Sequence, residues 1–597
     1  LILTIGLSEL KAQGSQWVSE NHRIQYQKFD WKFVASSNFE VYYLEKSEPL
    51  ARTTLSYLEA DFVRLTELIS YSPVQKIKIF SLIFFALIVC TSCEDYLEEE
   101  PRTQVDINAF YENESDALAG LTGAYAQLKT GNGYYRQQFL SNMFAASDQG
   151  QSSFNHRDFR FGTITNADPM IEQSWIFIYR AIKEANSVIA RVPGVPEMDE
   201  ELRLRILGEA RFLRALHYFN LVRCYGEVPL RTAPVEPGED GLPVSPVSDI
   251  YDAIIEDLEF ASQNCWGFNE TRNNSTNNVG RVTKASAHAL LAKIYVQMAS
   301  SLRTAQEGQE GNAIYLTLTE SPDFYYEKAI EQANFALQEP SYSLVSSLSE
   351  YETLFDANNG NNPEMLFEIQ GAAIAGQGTA VSNLFSPRNS GLAGGGFGGT
   401  NKLQGQFINR SINKFDPRFS NSIIDFYQDE TRTYVLTPNL TGYFRTITAT
   451  GESAGTLFRV FTAKYIDTDA TTEYTSQQNW HVIRLADVYL LRAEALAELN
   501  QNPALANDDF NILRSRVEMA DMFDGTGMSM EDFREALLAE RGVELYAEGH
   551  RFFDLTRMGV YDEYCRVTYG NSTGARGPED YTWPIPLIES SANPNID

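Results

Sequence analysis

One pentapeptide in this 597-residue chain has the spacing of a hydrolase nucleophile. Residues 451–455, Gly-Glu-Ser-Ala-Gly, fit the pattern G-x-S-x-G, in which a strand, a strained turn and a helix together expose the serine hydroxyl. Here both flanking segments are strand-like, and no HGGG-type oxyanion segment precedes the pentapeptide. The pattern therefore predicts a hairpin turn around Ser453, and a serine hydrolase is the less favoured alternative.

A glycine-rich run at 394–399, GGGFGG, contains the G-x-G-x-x-G spacing of dinucleotide-binding loops. That function needs a strand before the run and a helix after it, and neither pattern is present. We predict a flexible loop in which Phe397, with no bulky neighbour, reaches a ligand. The six histidines form no H-E-x-x-H motif and no i, i+4 pair, so we predict no metal site and no cofactor. His217 and His288 lie in helical patterns and are interpreted as packing residues.

The composition excludes one large class of partner. The formal net charge is -31, whereas binding to nucleic acid phosphates requires clustered Lys and Arg. The chain has 31 Tyr, 36 Phe and 6 Trp, a supply of aromatic rings that suits both a core and sugar-stacking surfaces. We predict that Cys224, Cys265 and Cys565 are buried thiols, because they are far apart in the sequence.

A bacterial export signal lies inside the chain. Residues 76–93 combine a basic start with the apolar run Ile79–Val89 and small residues before Cys93. This run is shorter than the about 20 residues that cross a bilayer, and it fits the core of a signal peptide. We predict a lipoprotein signal peptide with the lipid on Cys93, because small residues precede Cys93 whereas bulky Val89 precedes Cys90.

Residues 1–75 differ in character from the rest of the chain. They contain a strand-like stretch at 29–45 and a helical pattern that ends at Pro73. One strand and one helix bury too little apolar surface for independent stability. We interpret 1–75 as a fragment of an unrelated exported protein, and a genuine small N-terminal α/β domain is the alternative. Residues 94–110 then form an acidic tether, and residues 111–597 form the main domain.

Helical periodicity dominates the main domain. Helices are predicted at 171–192, 200–226, 284–301, 323–340, 482–500 and 503–517. In the segment 323–340, Ala329, Ala333, Ala336 and Leu337 form a face of mostly small residues that allows a second helix to approach closely. The pairs 284–301 with 323–340 and 482–500 with 503–517 predict tetratricopeptide-like hairpins. The predicted fold class is mainly α, a superhelix of such hairpins.

The helical period fails between about 341 and 480. Residues 371–405 are rich in Gly and Ser, and the Thr- and Tyr-rich residues 431–476 predict short strands and loops. An irregular stretch of this length inside a compact domain is usually functional or disordered. We predict a loop-rich insert that interrupts the helical scaffold.

Several motifs follow one another in the order typical of a single family. They are WIFIYRAIKEANSVI (175–189), GEARFLRALHYFNLVRCYGEVPL (208–230), NPEMLFEIQ (362–370), FDPRF (415–419), RLADVYLLRAEAL (484–496), AERGVELYAEGHRFFDLTRMG (539–559) and WPIP (583–586). Over about residues 76–597 the chain resembles the SusD/RagB family of outer-membrane nutrient-binding lipoproteins.

The resemblance implies a non-catalytic lipoprotein at the cell surface, anchored in the outer membrane through Cys93. Such a protein binds oligosaccharides or polysaccharides and delivers them to a SusC-like TonB-dependent transporter. Charged residues of the motifs, such as Arg214, Glu540 and Arg551, are interpreted as ion pairs of the scaffold. A peptide-binding protein and a purely structural helical-repeat adaptor are the alternatives; the large insert argues against the adaptor.

Two loop stretches carry side chains suited to sugars. A sugar ring presents an apolar C–H face and hydroxyls at its edge, so a site needs exposed aromatic rings and directional polar groups. Residues 146–162 and 263–274 contain both kinds of side chain without a helical period. With Phe397, the predicted ligand contacts are Asp148, Phe154, Asn155, Arg157, Trp266, Phe268 and Arg272. For each aromatic residue the competing interpretation is that it anchors its loop to the core.

Overall fold

The structure is a computed structural model, and the chain divides into two compact units, Leu1–Asp106 and Ile107–Asp597. Up to residue 109 it describes residues 32–35, 40–43, 52–53 and 55–56. It describes residues 110–597 except for 153–155, 236–238, 240, 271–277, 375, 393–398, 405–406, 408–415, 421, 425, 429–431, 437–443, 449–450, 456–459, 473, 520 and 597.

In the N-terminal unit, strand β1 (Lys32–Ala35) pairs antiparallel with strand β2 (Glu40–Tyr43). The strand character predicted for residues 29–45 is therefore confirmed, as a pair of strands. The signal segment 76–93 with Cys93, and the tether up to residue 109, lie outside the described residues.

The second unit is built mainly from helices, which confirms the predicted fold class. Its described α-helices are α1 (Glu114–Ala126), α2 (Gln138–Ala146), α3 (Arg157–Phe161), α4 (Pro169–Arg191), α5 (Glu200–Tyr225), α6 (Val247–Asn264), α7 (Lys284–Gln306), α8 (Pro322–Leu337), α9 (Leu348–Glu352), α10 (Val381–Phe385), α11 (Pro417–Ser420), α12 (Leu485–Asn500), α13 (Asn507–Ser515), α14 (Met530–Glu544), α15 (Arg551–Arg557), α16 (Tyr561–Tyr569) and α17 (Leu587–Ala592). Short 3-10 turns lie at Val192–Gly194, Glu310–Thr317, Pro503–Ala506 and Pro578–Tyr581.

Helices consecutive in the chain pack against each other, most extensively α7 with α8 and α5 with α6. In α8 the side chains of Ala329, Ala333 and Ala336 are buried, so the predicted small-residue face is the packed face. Helix α7 begins with a buried capping box, in which Thr283 Oγ1 accepts from the Ser286 amide and the Thr283 amide donates to Ser286 Oγ. Because this cap satisfies helix-end donors away from water, α7 can begin inside the core.

The predicted helix 482–500 begins three residues too early. Residues 482–484 belong to strand β14 (Trp480–Arg484), which pairs antiparallel with β6 (Met365–Ile369), and α12 starts at Leu485. All five residues of each strand are buried. Pairing with a partner more than a hundred residues away therefore overrides the local helical pattern.

The insert contains most of the strands. Beyond β1 and β2, the described strands are β3 (Gly150–Gln151), β4 (Val228–Pro229), β5 (Val244–Ser245), β6, β7 (Lys402–Leu403), β8 (Ile423–Ile424), β9 (Phe426–Gln428), β10 (Arg432–Leu436), β11 (Phe444–Thr448), β12 (Gly451–Gly455), β13 (Phe461–Thr462) and β14. Strands β9 to β12 form a four-stranded antiparallel sheet in sequential order, which agrees with the predicted short strands. The remaining strands of the second unit form two-stranded pairs.

Ser453 lies inside strand β12, opposite Thr446 of β11. The predicted hairpin turn at 451–455 is therefore wrong, because these five residues are the strand itself. A nucleophile elbow needs a strand that turns sharply into a helix, and a serine in the middle of a paired antiparallel strand does not have that geometry.

Candidate functional site

The flanks of two predicted ligand-binding segments meet at strands β3 and β7. Gly150 lies opposite Leu403 and Gln151 opposite Lys402, and Ser152 Oγ donates a 2.8 Å hydrogen bond to Asn401 Oδ1. Phe154 and Asn155 in one loop, and Phe397 in the other, lie outside the described residues. The structure therefore joins residues 150–152 of the first segment to residues 401–403, which follow the glycine-rich run and are far from the first segment in the sequence. We call Ser152, Arg157, Arg160, Asn401 and Lys402 the loop edge.

Two arginines give the loop edge its directional donors. Arg157 is exposed, and its guanidinium carbon lies 5.4 Å from the ring centre of Phe161. Arg160 Nη1 donates a 2.9 Å hydrogen bond to Gln151 Oε1, and its guanidinium lies 5.0 Å from the ring centre of Tyr569. Because both guanidinium groups lie over aromatic rings, their orientation is restrained while N–H donors remain for a ligand.

Polar side chains near β7 have unused hydrogen-bonding capacity. Among the buried side-chain atoms of the described residues that find no hydrogen-bond partner, four belong to residues near β3 and β7: Gln151 Nε2, Ser386 Oγ, Asn401 Nδ2 and Gln404 Oε1. A buried polar atom without a partner costs about 1–3 kcal/mol, so a ligand that bonded to these four atoms would recover part of that cost.

A larger concavity lies beside helix α1. This cleft has a volume of about 570 Å³ and is lined by Thr122, Tyr125, Ala126, Leu128, Lys129, Thr130, Gly131, Arg136, Gly280, Glu368, Ile369, Gln370, Gly376 and Gln377. Its size is within the range of ligand pockets. Lys129 Nζ donates to the carbonyl oxygens of Gln370 at 2.7 Å and Gln377 at 2.6 Å. Burial, with Arg136 nearby, lowers the pKa of Lys129.

Tyr474 borders the cleft and connects it to the insert. The Arg136 guanidinium lies 4.1 Å from the Tyr474 ring centre, and Asn132 Nδ2 donates to Tyr474 Oη at 3.2 Å. Two residues earlier, the Thr472 carbonyl accepts a 3.5 Å hydrogen bond from Asn383 Nδ2. The Asn383 carbonyl in turn accepts from the Gly399 amide, next to the loop edge. Asn383 of α10 therefore contacts Thr472, two positions before Tyr474, and Gly399, two positions before Asn401 of the loop edge.

Trp266, predicted as an exposed stacking platform, lies in the core instead. Its side chain is only 3% exposed, and the Arg205 guanidinium lies 4.2 Å from its ring centre. Asp148 is fully buried, and its Oδ1 accepts from Arg551 Nε at 2.8 Å. Both residues are corrected to packing roles, because a buried ring and a paired buried carboxylate present nothing to a sugar. Both residues lie in polar stretches of the sequence, and a polar stretch predicts exposure rather than burial.

Phe268 is half-buried against Tyr342, with ring centres 5.5 Å apart, and Arg272 lies outside the described residues. The contacts of this segment, to Arg205 and Tyr342, differ from those of the loop edge. Of the eight predicted ligand contacts, Arg157 is therefore the one that the structure shows exposed beside the joined loops.

A buried network of charges attaches the insert to the helical scaffold. Arg418 contacts Asp416 at 2.7 Å and Glu540 at 2.6 Å. Arg484 contacts Glu364, Glu544 and Glu548 at 2.9, 2.7 and 2.7 Å. Lys464 in the insert reaches Glu548 at 2.7 Å. These ion pairs are buried, as predicted for Arg214, Glu540 and Arg551.

The network sets the protonation of its members. Burial alone would raise the pKa of Glu548, but Arg484 and Lys464 together lower it to about 2. Burial lowers the pKa of Lys464 to about 8 against the opposing effect of Glu548. Sequence reasoning missed Lys464 and Arg484, which are assigned to this network only by contacts with distant parts of the chain.

The described residues contain no group of three or more His, Cys, Asp or Glu side chains placed to hold a metal ion. No helix among them is long and apolar enough to cross a membrane.

The helical scaffold with its strand-containing insert matches two family models. The model described as "SusD family" matches residues 321–597, and the model described as "Starch-binding associating with outer membrane" matches residues 95–296. The two matches together cover most of the second unit. The chain belongs to the SusD/RagB family.

Relatives and solved structures agree with this assignment. SusD-like protein P25 of Formosa agariphila is 25% identical over 87% of this chain and 97% of the relative. The starch-binding protein SusD of Bacteroides thetaiotaomicron is 23% identical over 78% of this chain and 85% of its own. The structure of a laminarin-binding SusD-like protein is 26% identical, with a TM-score of 0.63 over 82% of this chain and 99% of that one. The names of the last two describe binding proteins.

Proposed function

We propose that this chain is a non-catalytic, surface-exposed protein that binds oligosaccharides or polysaccharides. The observation that carries the proposal is family membership over residues 95–296 and 321–597, with relatives named for binding starch and laminarin. The cleft and the arginine-bearing loop edge are consistent with a neutral ligand rich in hydroxyls, because both supply directional donors beside aromatic rings.

The proposed location is the outer face of the outer membrane, with the lipid on Cys93. Two observations support this anchor: the export-signal pattern at 76–93, and the start of the family match at residue 95, two positions after Cys93. From there the protein would deliver its glycan to a SusC-like TonB-dependent transporter, the partner that the family resemblance implies.

The proposed glycan contacts centre on the loop edge. Arg157 is the predicted contact in the loop edge, and Phe154, Asn155 and Phe397 belong to the two loops whose flanks meet there. The cleft with Lys129 and Arg136 is the second candidate. A peptide ligand or an adaptor role remains the alternative function for the same fold.

The test is calorimetric titration of the purified chain with a panel of α- and β-linked oligosaccharides. Arg157→Ala should weaken binding of the recognised glycan about tenfold, the cost of one charge-assisted hydrogen bond. Arg136→Ala reports on the cleft. Lys328→Ala removes a partly exposed cation of α8 that pairs with Glu331, and this control should leave the affinity unchanged.

Each outcome is informative. Loss of affinity in Arg136→Ala without loss in Arg157→Ala would move the site from the loop edge to the cleft. Saturable binding of a peptide library with no response to any glycan would replace the glycan proposal. Hydrolysis of an ester substrate that disappears in Ser453→Ala would contradict the non-catalytic assignment.

A further inference from the structure

A small internal cavity lies among helices α5 and α7 and the segment before α15. Its volume is about 30 Å³, and its lining includes Arg223 from α5, Lys293 from α7, Glu548 and His550. None of its lining residues belongs to the loop edge or to the cleft. The lining is unusual for a core because it holds two cationic side chains.

Arg223 is a buried cation without an acidic partner. Its side chain lies between the rings of Phe219 and Phe553, each 3.8 Å from the guanidinium carbon. Nε donates to the Phe219 carbonyl at 3.2 Å and Nη2 donates to Asn220 Oδ1 at 2.6 Å. Within the described part of the chain, Nη1 makes no hydrogen bond and no carboxylate forms a salt bridge with Arg223. The N–H groups of Nη1 are therefore unused, and the charge of Arg223 has no carboxylate partner.

Lys293 and His550 supply two more donors at the same cavity. Lys293 Nζ donates to Asp487 Oδ2 at 2.9 Å and to His550 Nδ1 at 2.8 Å, which leaves one N–H of the ammonium. Burial and the neighbouring Lys293 lower the pKa of His550 to about 3, so its ring is neutral near pH 7. Because Nδ1 of the neutral ring accepts, Nε2 carries the proton and acts as a donor.

The carboxylates near the cavity are shared among other cations. Asp487 also contacts Arg541 at 2.9 Å; Asp554 contacts Arg541 and Arg557, and Glu494 contacts Arg557. Lys293, Arg541 and Arg557 therefore share the three carboxylates among themselves, and Arg223 forms a salt bridge with none of them. Glu548 also lines the cavity, but its carboxylate pairs with Arg484 and Lys464 in the neighbouring network.

That neighbouring network is balanced by itself. Its five cations are Arg418, Lys464, Arg484, Arg514 and Arg516, and its five carboxylates are Glu364, Asp416, Glu540, Glu544 and Glu548. Arg223 is therefore the cation of the cavity lining that has no carboxylate partner among the described residues; Glu368, which lies 3.1 Å from His481 of the lining, forms no salt bridge with it. A buried charge without a counter-charge costs several kcal/mol, so Arg223 favours an anion.

We propose that this cavity binds a single monatomic anion, chloride, held by N–H groups of Arg223, Lys293 and His550. The volume exceeds the about 10–15 Å³ that one water-sized group needs, so a monatomic anion fits. A water molecule fits but leaves the positive charge uncompensated. The bound anion joins α5, α7 and the segment before α15, and it stabilises the folded chain in proportion to its occupancy.

The first test is thermal unfolding of the full chain at constant ionic strength, with chloride exchanged for gluconate. We expect the Tm to rise by about 2 °C or more from chloride-free to chloride-saturated buffer, and bromide to act like chloride. A Tm that is the same in chloride and in gluconate would overturn the proposal.

The second test separates site binding from a general salt effect. In Arg223→Met the chloride-dependent part of the Tm shift should disappear, whereas Arg492→Met, in which an arginine paired with Asp509 is replaced, should retain it. An equal chloride shift in both variants would contradict the assignment.

Crystals of the wild-type chain grown with bromide keep the proposal testable where Arg223→Met does not fold. An anomalous peak in the cavity lined by Arg223, Lys293 and His550 is the expected result. Featureless anomalous density there, with an ordered water in its place, would overturn the proposal.

Discussion

His217 and His550 are buried side chains that the fold keeps neutral. His217 Nδ1 lies 3.0 Å from the Tyr134 hydroxyl, and burial lowers its pKa to about 3. His156 behaves in the same way, with its pKa lowered by burial to about 4. Since the ordinary pKa of histidine is about 6.5, each of these rings binds a proton in the unfolded chain well before it does so in the folded one.

The first prediction concerns pH. Above pH 6.5 these histidines are neutral in both states, and as the pH falls from 6.5 towards 3 the unfolded chain alone gains protons. The free energy of unfolding should therefore fall over this window, by about 1.4 kcal/mol per pH unit for each histidine. Denaturant titrations at several pH values measure this slope.

A variant assigns the slope to a residue. His217→Asn should lower the slope by about 1.4 kcal/mol per pH unit, because one fewer group gains a proton in the unfolded chain alone. His288→Asn, at a half-buried position, should lower the slope less. Stability that stays constant between pH 6.5 and 4.5 would show that the rings titrate in the folded chain.

At the scale of elements, the contact between α7 and α8 depends on residue size. Helix α8 packs against α7 and α12, and the side chains of its Ala329, Ala333 and Ala336 are almost fully buried. Their spacing of three and four residues places them on one helical face, which is why the sequence predicted both the face and the partner helix.

The second prediction follows from this contact. Ala333→Leu should destabilise the chain by about 1–3 kcal/mol, because a well-packed interface has no room for three more carbon atoms. Urea unfolding of the variant gives the value. Glu327→Leu places the same side chain on the exposed side of α8 and should change stability by less than about 0.5 kcal/mol. Similar losses in both variants would point to helix propensity rather than packing.

At the scale of the whole molecule, the chain combines a family domain with an N-terminal segment of different character. The family matches begin at residue 95, and the described part of the preceding unit contains the strand pair β1 and β2. Residues 1–75 remain interpreted as a fragment of another exported protein, and the signal at 76–93 as the start of the lipoprotein.

The third prediction tests that organisation. When the chain is expressed in a bacterium with an outer membrane, Cys93→Ala should abolish labelling by a fatty-acid analogue and release the protein from the membrane fraction. Cys90→Ala is the matched control three residues earlier and should keep both properties. Loss of both properties in Cys90→Ala but not in Cys93→Ala would assign the lipid to Cys90. Absence of labelling in both variants would show that residues 1–75 prevent processing.

Local patterns in the sequence determined much of this protein by themselves. Helical periodicity identified the scaffold helices, the alanines of α8 marked a packed face, and the loss of period located the insert. Motif order identified the family. These features depend on neighbours within a few turns of the chain, and that is the range over which sequence spacing specifies geometry.

Tertiary structure decided the rest. The polar loop around Trp266 indicated exposure, but Arg205 and the core cover its ring; the apolar start at 482–484 indicated a helix, but pairing with β6 makes it a strand. The meeting of β3 with β7, the ion pairs of Arg484 and the cavity beside Arg223 all join residues far apart in the sequence. Burial and long-range pairing are properties of the whole packed chain, so no local spacing specifies them.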